Sequence, residues 1–325
     1  MNTIRNILVA IAIALTGLGS ASAQPYPSRP ITMVVPYPAG GVTDMLARVF
    51  AERMQKPLDQ SIVVENAGGA AGSIGVGRVA RAAPDGYTFV LGNAENFVLN
   101  GAELPLQYDV VKDFEPIALL PSYPFLIVTT NSVPAKDLHE LVGWLKADAA
   151  KVTQGTVGAG TMQHLCGLAI QNRIGARWQF VPYRGGAPAM QDLLAGQIDF
   201  MCTASGSFLP LVRSGQIRAY AVTAKTRMAA APDIPTVDEA GLAGIYASVW
   251  NAFWAPKGTP QVIIAKLNAA AEDALADPAV QHRVIEMGLD LPPQQQATPQ
   301  ALGAYQKAEI EKWWPIIKAA GIKVD

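Results

Sequence analysis

The sequence predicts an α/β protein made of two lobes with mainly parallel sheets. Short β-branched strands alternate with helical segments along most of the chain. A strand followed by a Pro-Tyr and Gly-Gly turn occurs twice, at residues 35–41 and 181–186. Without its leader the chain keeps about 300 residues, which is more than one hydrophobic core comfortably holds. We therefore expect two similar lobes with a cleft between them, each presenting a helix start to one shared ligand.

The first 23 residues have the features of a secretory signal peptide. Arg5 supplies the positive charge, residues 7–18 form a short apolar core, and Ala21-Ser22-Ala23 is a small-residue cleavage site. The apolar core is short for a membrane-spanning helix, although an N-terminal membrane anchor is the alternative. We expect the mature chain to be exported.

The composition is that of an ordinary globular protein. Half of the residues are apolar, 16% are charged, and the net charge is −1. Because there is no basic excess, we expect no nucleic-acid partner. An anionic ligand would have to be held by local dipoles and amides rather than by the charge of the whole molecule.

The chain contains two cysteines, Cys166 and Cys202. In an exported protein an isolated pair is most simply a disulfide, and two buried free thiols are the alternative. A bridge that closes a loop of this length stabilises by about 3–4 kcal/mol in the chain-entropy model.

The first turn has the features of an anion site. The apolar strand Ile31–Val35 leads through the turn into an amphipathic helix at residues 43–54. The first amides of a helix have no internal partner, and the helix dipole favours negative charge there. Glycines in the turn let the backbone approach a ligand closely.

The next segments continue the alternation of strand and helix. A strand at 61–65 precedes a glycine-rich loop at 66–75 and a helix to 82. The loop lacks the Gly-Lys-Ser/Thr ending of a P-loop, so we expect no nucleotide cofactor. A turn at 84–87 begins the strand 88–92. Asn93, Glu95 and Asn96 follow that strand, where open α/β sheets place ligand contacts.

Two segments are predicted to cross between the lobes. Residues 117–130, interrupted by Pro121 and Pro124, predict two strands with a bend between them, and residues 248–256 predict a second crossover strand. Residues 24–124 plus 252–325 are then lobe 1, and residues 125–251 are lobe 2. The remaining predicted elements are helices at 135–149, 162–174, 186–195, 261–276, 278–287 and 299–320, a short helix in the proline loop 231–241, and strands at 154–157, 180–181, 196–202 and 219–223.

Six motifs in order resemble the Bug-type extracytoplasmic solute receptors, the binding proteins of tripartite tricarboxylate transporters. They are Pro-Tyr-Pro-Ala-Gly-Gly-Val-Thr-Asp at 36–44, Asn-Ala-Gly-Gly-Ala-Ala-Gly at 66–72, Pro-Asp-Gly-Tyr-Thr at 84–88, Asp-Phe-Glu-Pro-Ile at 113–117, the run from Pro182 to Asp199, and Ala-Pro-Lys-Gly-Thr-Pro at 255–260. Together they cover nearly the whole mature chain.

The resemblance implies a two-lobed periplasmic-binding-protein fold, a type II-like Venus flytrap, that closes on a carboxylate-bearing solute. It implies a periplasmic monomer without a cofactor, whose partners are the solute and the membrane permease subunits of a tripartite transporter. The solute is a dicarboxylate or, if Trp250 and Trp254 face the cleft, an aromatic acid.

The resemblance also places one carboxylate between the two glycine turns. The candidate ligand contacts are Tyr37, Pro38, Ala39, Gly40, Gly41, Thr43, Asp44, Asn93, Gly160, Thr161, His164, Tyr183, Arg184, Gly185, Gly186, Thr203 and Ala204. Residues 93–96 depart from the family pattern, because Glu95 would repel a second carboxylate. Either Glu95 points away from the ligand, or the far end of the ligand is not simply anionic.

A secreted hydrolase acting on a small organic acid is the alternative function. Ser205 and Ser207 follow a strand, but the sequence has no Gly-x-Ser-x-Gly elbow with partner residues. The three histidines are widely spaced in the sequence, so we expect no metal site. We therefore expect a binding protein rather than an enzyme.

Overall fold

The computed structural model describes residues 26–183 and 186–321, apart from the side chain of Ser207. The predicted signal peptide at 1–23 and the candidate contacts Arg184 and Gly185 lie outside the described residues. Among the helices that are described, none is both long enough and apolar enough to cross a membrane.

The strands follow the predicted alternation with helices. They are β1 (Ile31–Val35), β2 (Ile62–Asn66), β3 (Thr88–Asn93), β4 (Phe114–Thr130), β5 (Thr153–Thr156), β6 (Gln179–Pro182), β7 (Phe200–Ala204), β8 (Ile217–Val222) and β9 (Ser248–Pro256).

The helices lie mostly between these strands or after β9. They are α1 (Val42–Leu58), α2 (Ser73–Ala80), α3 (Asn100–Glu103), α4 (Leu138–Ala147), α5 (Met162–Ile174), α6 (Gly186–Leu194), α7 (Ser205–Arg213), α8 (Gln261–Ala276), α9 (Pro278–Glu286) and α10 (Pro299–Ala319). The prediction of a short helix within residues 231–241 was wrong, since these residues form turns. A single π-helical turn, Glu95–Leu99, directly follows β3 and precedes α3.

The strand order is β2-β1-β3-β9-β4-β7-β5-β6, with β8 also paired to β4. β1 runs parallel to β2 and β3, and β5 runs parallel to β6 and β7. β9 lies antiparallel to both β3 and β4, so the two parallel groups are joined through the antiparallel strands β4 and β9. The first Pro-Tyr turn follows β1, the second begins at the end of β6, and Asn93, Glu95 and Asn96 lie at or just after the end of β3.

β4 is one continuous strand of 17 residues, so the prediction of two strands with a bend was wrong. Residues 114–124 pair with β9, and residues 125–130 pair with β7 and β8. The register shifts between Leu119 and Ser122, which accommodates Pro121, since a bulge does not need the missing N–H. The carbonyl of Pro121 accepts a hydrogen bond from Asn251 Nδ2 at 2.7 Å. These tertiary contacts keep a proline-interrupted segment extended.

The predicted disulfide between Cys166 and Cys202 is confirmed. It joins α5 to β7 over a sequence separation of 36 residues, and both cysteines are completely buried. Gly158, Ala159 and Gly160 form a turn between β5 and α5. The bridge fixes α5, which follows this turn, against β7.

Candidate functional site

The first turn joins the end of β1 to the start of α1. Gly40 has φ +87°, a left-handed conformation that favours glycine. Gly41 is the N-cap residue of α1, and no side chain caps the helix there. The amides at the start of α1 therefore remain available to a ligand, and the dipole of this 17-residue helix favours an anion.

Asp44 holds the turn in this conformation. Its Oδ2 accepts from the Gly40 amide at 2.9 Å and from Arg48 Nε at 3.1 Å. Its Oδ1 accepts from Arg48 Nη2 and from Asn66 Nδ2, both at 3.0 Å. Burial raises the pKa of Asp44, but these hydrogen bonds and the Arg48 charge outweigh it and lower the pKa below its usual value. Asp44 is thus a buried carboxylate that shapes the anion site rather than a direct partner for an anion.

The glycine-rich loop after β2 packs against the same turn. Asn66 donates to the Tyr37 carbonyl at 3.1 Å. A Cβ on Gly68 would come within 3.3 Å of the Pro38 backbone nitrogen, and one on Gly72 within 3.1 Å of the Pro36 carbonyl. The glycines therefore let the loop approach the turn closely, which is a structural role.

A cavity of about 410 Å³ opens beside the turn. Three of its lining residues, Val42, Glu95 and Tyr123, lie outside the candidate set. The described residues that line it are Tyr37, Pro38, Ala39, Gly41, Val42, Thr43, Asn93, Glu95 and Tyr123.

Tyr37, Asn93 and Glu95 form a hydrogen-bonded group on this wall. The Tyr37 hydroxyl donates to Asn93 Oδ1 at 2.9 Å and lies 3.5 Å from Glu95 Oε2. Asn93 Oδ1 also accepts from the Glu95 amide at 3.0 Å. Burial raises the pKa of the Glu95 carboxyl, while the Tyr37 hydroxyl opposes this shift. Glu95 therefore lines the cavity and does not point away from it.

The carboxyl group of Glu103 lies against the turn at residues 158–160 and interacts electrostatically with Glu95 of the cavity lining. A Cβ on Gly160 would lie 2.6 Å from Glu103 Oε1, so only glycine fits against the carboxyl group as it stands. Burial, and to a lesser degree the charge of Glu95, raises the pKa of Glu103 to about 8. Its Oε1 is buried and has no hydrogen-bond partner among the described residues.

We expect the folded protein to lose stability as the pH rises towards 8, in part because of Glu103. Its pKa is about 8 in the folded state against 4.5 ordinarily, so the folded chain keeps a proton that the unfolded chain releases. This contribution is complete below pH 4.5 and is lost as the pH rises through 8. In thermal unfolding from pH 4 to pH 9, Glu103→Gln should match the wild type at low pH and exceed it at high pH.

The matched control for this experiment is Glu311→Gln, which changes the same charge on an exposed side chain. It should follow the wild type at every pH. Identical pH profiles of stability for wild type and Glu103→Gln would show that the raised pKa of Glu103 does not contribute to the loss of stability at high pH.

The described residues of the second glycine turn, Tyr183 and Gly186, differ in their contacts from their counterparts in the first turn. The Tyr183 hydroxyl donates to Asp192 Oδ2 at 2.7 Å, and burial together with Asp192 raises its pKa to about 12. The Asp192 carboxylate thus accepts a hydrogen bond from a tyrosine hydroxyl, whereas the Asp44 carboxylate accepts one from a backbone amide of the first turn. A Cβ on Gly186 would meet no atom within 4 Å. Neither Tyr183 nor Gly186 lines the cavity beside the first turn.

The other described candidate contacts between residues 125 and 251 also lie outside that cavity. His164 Nδ1 accepts from the Gly160 amide at 3.1 Å, and its ring packs edge-on against Phe180. Thr161 is the N-cap residue of α5, but its hydroxyl donates to the Gly158 carbonyl instead of capping the helix. Thr203 is buried and accepts from Gln163, and Ala204, the last residue of β7, is half-buried. His164 and Thr161 therefore hold the shape of the 158–160 turn.

Neither tryptophan of β9 lines the cavity beside the first turn. Trp254 stacks on Phe97 with 3.6 Å between ring centroids. Trp250 lines a different cavity of about 660 Å³, together with Ser122 and Pro124 of β4. Tyr123, between those two residues, lines the smaller cavity, as expected when successive side chains of a strand point to opposite faces. The tryptophans give no support to an aromatic acid as the solute.

Eight of the seventeen candidate contacts thus belong to one local arrangement around the first turn. Six of them line the cavity, and Gly40 and Asp44 lie directly behind it. Sequence reasoning missed Val42 and Tyr123 as lining residues and mentioned Glu95 only as a departure from the family pattern. A signal for Glu95 was present, since it follows the end of a parallel strand. Residues 26–183 and 186–321 contain no group of three or more His, Cys, Asp or Glu side chains that could hold a metal ion.

Two lobes joined by antiparallel strands, with an amide-lined cavity at a strand end, define a solute-binding receptor of the periplasmic-binding-protein fold. Residues 46–322 match the family model "Tripartite tricarboxylate transporter family receptor". The chain belongs to this family, and both the predicted family and the predicted fold are confirmed.

Solved structures of similar proteins support the same assignment. The periplasmic binding protein BugD is 39% identical, with a TM-score of 0.76, over 92% of this chain and 99% of BugD. MatC from Rhodopseudomonas palustris with bound malate is 36% identical, with a TM-score of 0.75, over 90% of this chain and 100% of MatC. Another R. palustris protein, with adipate, is 31% identical, with a TM-score of 0.78, over 92% of this chain and 99% of that protein.

Proposed function

We propose that this protein is a periplasmic receptor that captures a carboxylate-bearing solute between its lobes and delivers it to the membrane permease subunits of a tripartite transporter. Residues 24–124 plus 252–325 act as one lobe and residues 125–251 as the other. The solute is released unchanged, since the role is binding and not catalysis.

One observation carries the proposal: the uncapped start of α1 faces a cavity. The amides that follow Gly41 have no side-chain cap, and Gly41, Val42 and Thr43 line the cavity wall. A carboxylate there accepts hydrogen bonds from these amides and lies at the positive end of the helix dipole. Two relatives carry the dicarboxylates malate and adipate in their solved structures, which supports the same chemistry.

The second lobe completes the site when the two lobes close. The proposed contacts there are Gly160, Thr161, His164, Tyr183, Arg184, Gly185, Gly186, Thr203 and Ala204. A ligand that bridges both lobes favours the closed form, and the permease recognises that form.

Native mass spectrometry of the purified protein tests the proposal directly. We expect a small organic acid to co-purify, and calorimetry should show that the stripped protein binds carboxylates. A bound acid recovered chemically unchanged after incubation supports a receptor, whereas its conversion to a product supports the hydrolase alternative. If neither a co-purified acid nor any carboxylate binds up to millimolar concentration, the proposal fails.

A further inference from the structure

The lining of the cavity beside the first turn combines two chemically different kinds of group. At the start of α1 the backbone amides, which no side chain caps, are hydrogen-bond donors. Glu95 contributes a carboxyl group to the same lining, and none of the described lining residues carries a positive charge. A solute that fills this cavity therefore meets backbone donors and the acceptor oxygens of Glu95.

The Glu95 carboxyl is poorly satisfied by the protein itself. The Tyr37 hydroxyl has a single proton, which it gives to Asn93 Oδ1 at 2.9 Å, and the contact with Glu95 Oε2 is long at 3.5 Å. Within residues 26–183 and 186–321 the carboxyl group has no other hydrogen-bond partner. An ionised carboxylate has about four acceptor sites, so most of its capacity is open to a ligand.

Buried side chains near Glu95 also have acceptor oxygens without hydrogen-bond donors. Asn96 follows Glu95 and Asn251 pairs with Asn93 in the sheet, and both are completely buried. The Oδ1 atom of each has no hydrogen-bond donor among the described residues, and neither does Oε1 of Glu103. Because directly paired residues project from the same face of a sheet, Asn251 lies on the side of Asn93 that meets Tyr37. Among the described residues, the surroundings of Glu95 therefore contain several acceptor oxygens that no donor satisfies.

We infer that the solute carries, besides its carboxylate, a protonated amine that pairs with Glu95. The inference rests on the proposed function and names the substrate class of the same site. An ammonium group supplies three donors and no acceptor, whereas a second carboxylate adds acceptors beside an acidic side chain. Hydrogen bonds between ionised groups in a partly buried site are among the strongest in proteins. Losing one such hydrogen bond to the ligand weakens binding by at least about tenfold.

Calorimetric titration with matched ligand pairs tests this inference. The pairs are succinate with γ-aminobutyrate, glutarate with δ-aminovalerate, and adipate with ε-aminocaproate, which have equal carbon numbers. Aspartate and glutamate are added as acids that carry an amine beside two carboxylates. We expect at least one amine-bearing acid to bind the wild type about tenfold or more tighter than its matched dicarboxylate. Glu95→Gln should abolish that preference while keeping the shape of the side chain.

Glu311→Gln serves as the charge-matched control, because its side chain is exposed and lies on α10. It should keep the wild-type preference, and the melting temperatures of all three proteins report folding. If the wild type binds every dicarboxylate as tightly as its amine-bearing partner, the inference is overturned and the proposed function stands. An amine-bearing acid that keeps its full advantage over the matched dicarboxylate in Glu95→Gln would also overturn the inference. If no member of the panel binds, the proposed function fails as well.

Discussion

Gly41→Val is expected to abolish carboxylate binding and to leave the fold nearly unchanged. Gly41 lines the cavity at the N-cap of α1 and has φ −79°, which any residue adopts. A Cβ there would meet only the Pro38 carbonyl, at 3.9 Å, so the larger side chain fits the folded protein. It would occupy the space that a carboxylate needs in order to reach the α1 amides. We expect a loss of about 100-fold or more in affinity, roughly 2.7 kcal/mol.

Calorimetry and thermal unfolding together decide this prediction. The free energy of unfolding should change by about 1 kcal/mol or less, since valine is a poorer N-cap residue than glycine. Gly143→Val is the control, because a Cβ on this residue of α4 would meet no atom within 4 Å. The control should bind normally. Comparable losses of binding and stability in Gly41→Val would assign the glycine to folding alone.

The first turn was predictable because its determinants are local. An apolar β-branched strand, a proline and glycine turn and an amphipathic helix occur in order within residues 31–58, and the structure has them there. The disulfide was predictable from the number of cysteines and the expected export, without any geometry. By contrast, β4 was misjudged because Pro121 and Pro124 are local strand breakers. A bulge and a bond from Asn251, which is distant in sequence, override them.

The lining of the cavity also could not be predicted from local sequence alone. Tyr123 lines the cavity from β4, whose register shifts between Leu119 and Ser122, and no sequence pattern fixes that shift. The matched tyrosines of the two turns, Tyr37 and Tyr183, looked equivalent in the sequence. Their hydroxyls bind Asn93 and Asp192 respectively, so only the first is part of the cavity wall. The contacts that each copy makes in the folded protein, and not the repeated sequence, therefore decide which tyrosine lines the cavity.

Asp44→Asn is expected to disrupt the anion site through the backbone of the turn. Each carboxylate oxygen of Asp44 accepts two hydrogen bonds, from Arg48 and Asn66 at Oδ1 and from Gly40 and Arg48 at Oδ2. An asparagine amide in either orientation replaces one acceptor by a donor that faces two donors. Since Asp44 is only 3% exposed, we expect the free energy of unfolding to fall by about 2–3 kcal/mol. Carboxylate binding should weaken about tenfold or more, because Gly40 loses its anchor.

The pH dependence separates this effect from a general loss of packing. The folded-state pKa of Asp44 is lowered, so its stabilisation is present above the ordinary pKa and is lost as the pH falls through the folded value. The difference in stability between wild type and Asp44→Asn should therefore be full at pH 7 and shrink in acid. Asp59→Asn, at the other end of α1 and exposed, makes the same chemical change and should show no such difference. A difference that persists unchanged below pH 3 would show that the charge of Asp44 is not what holds the turn.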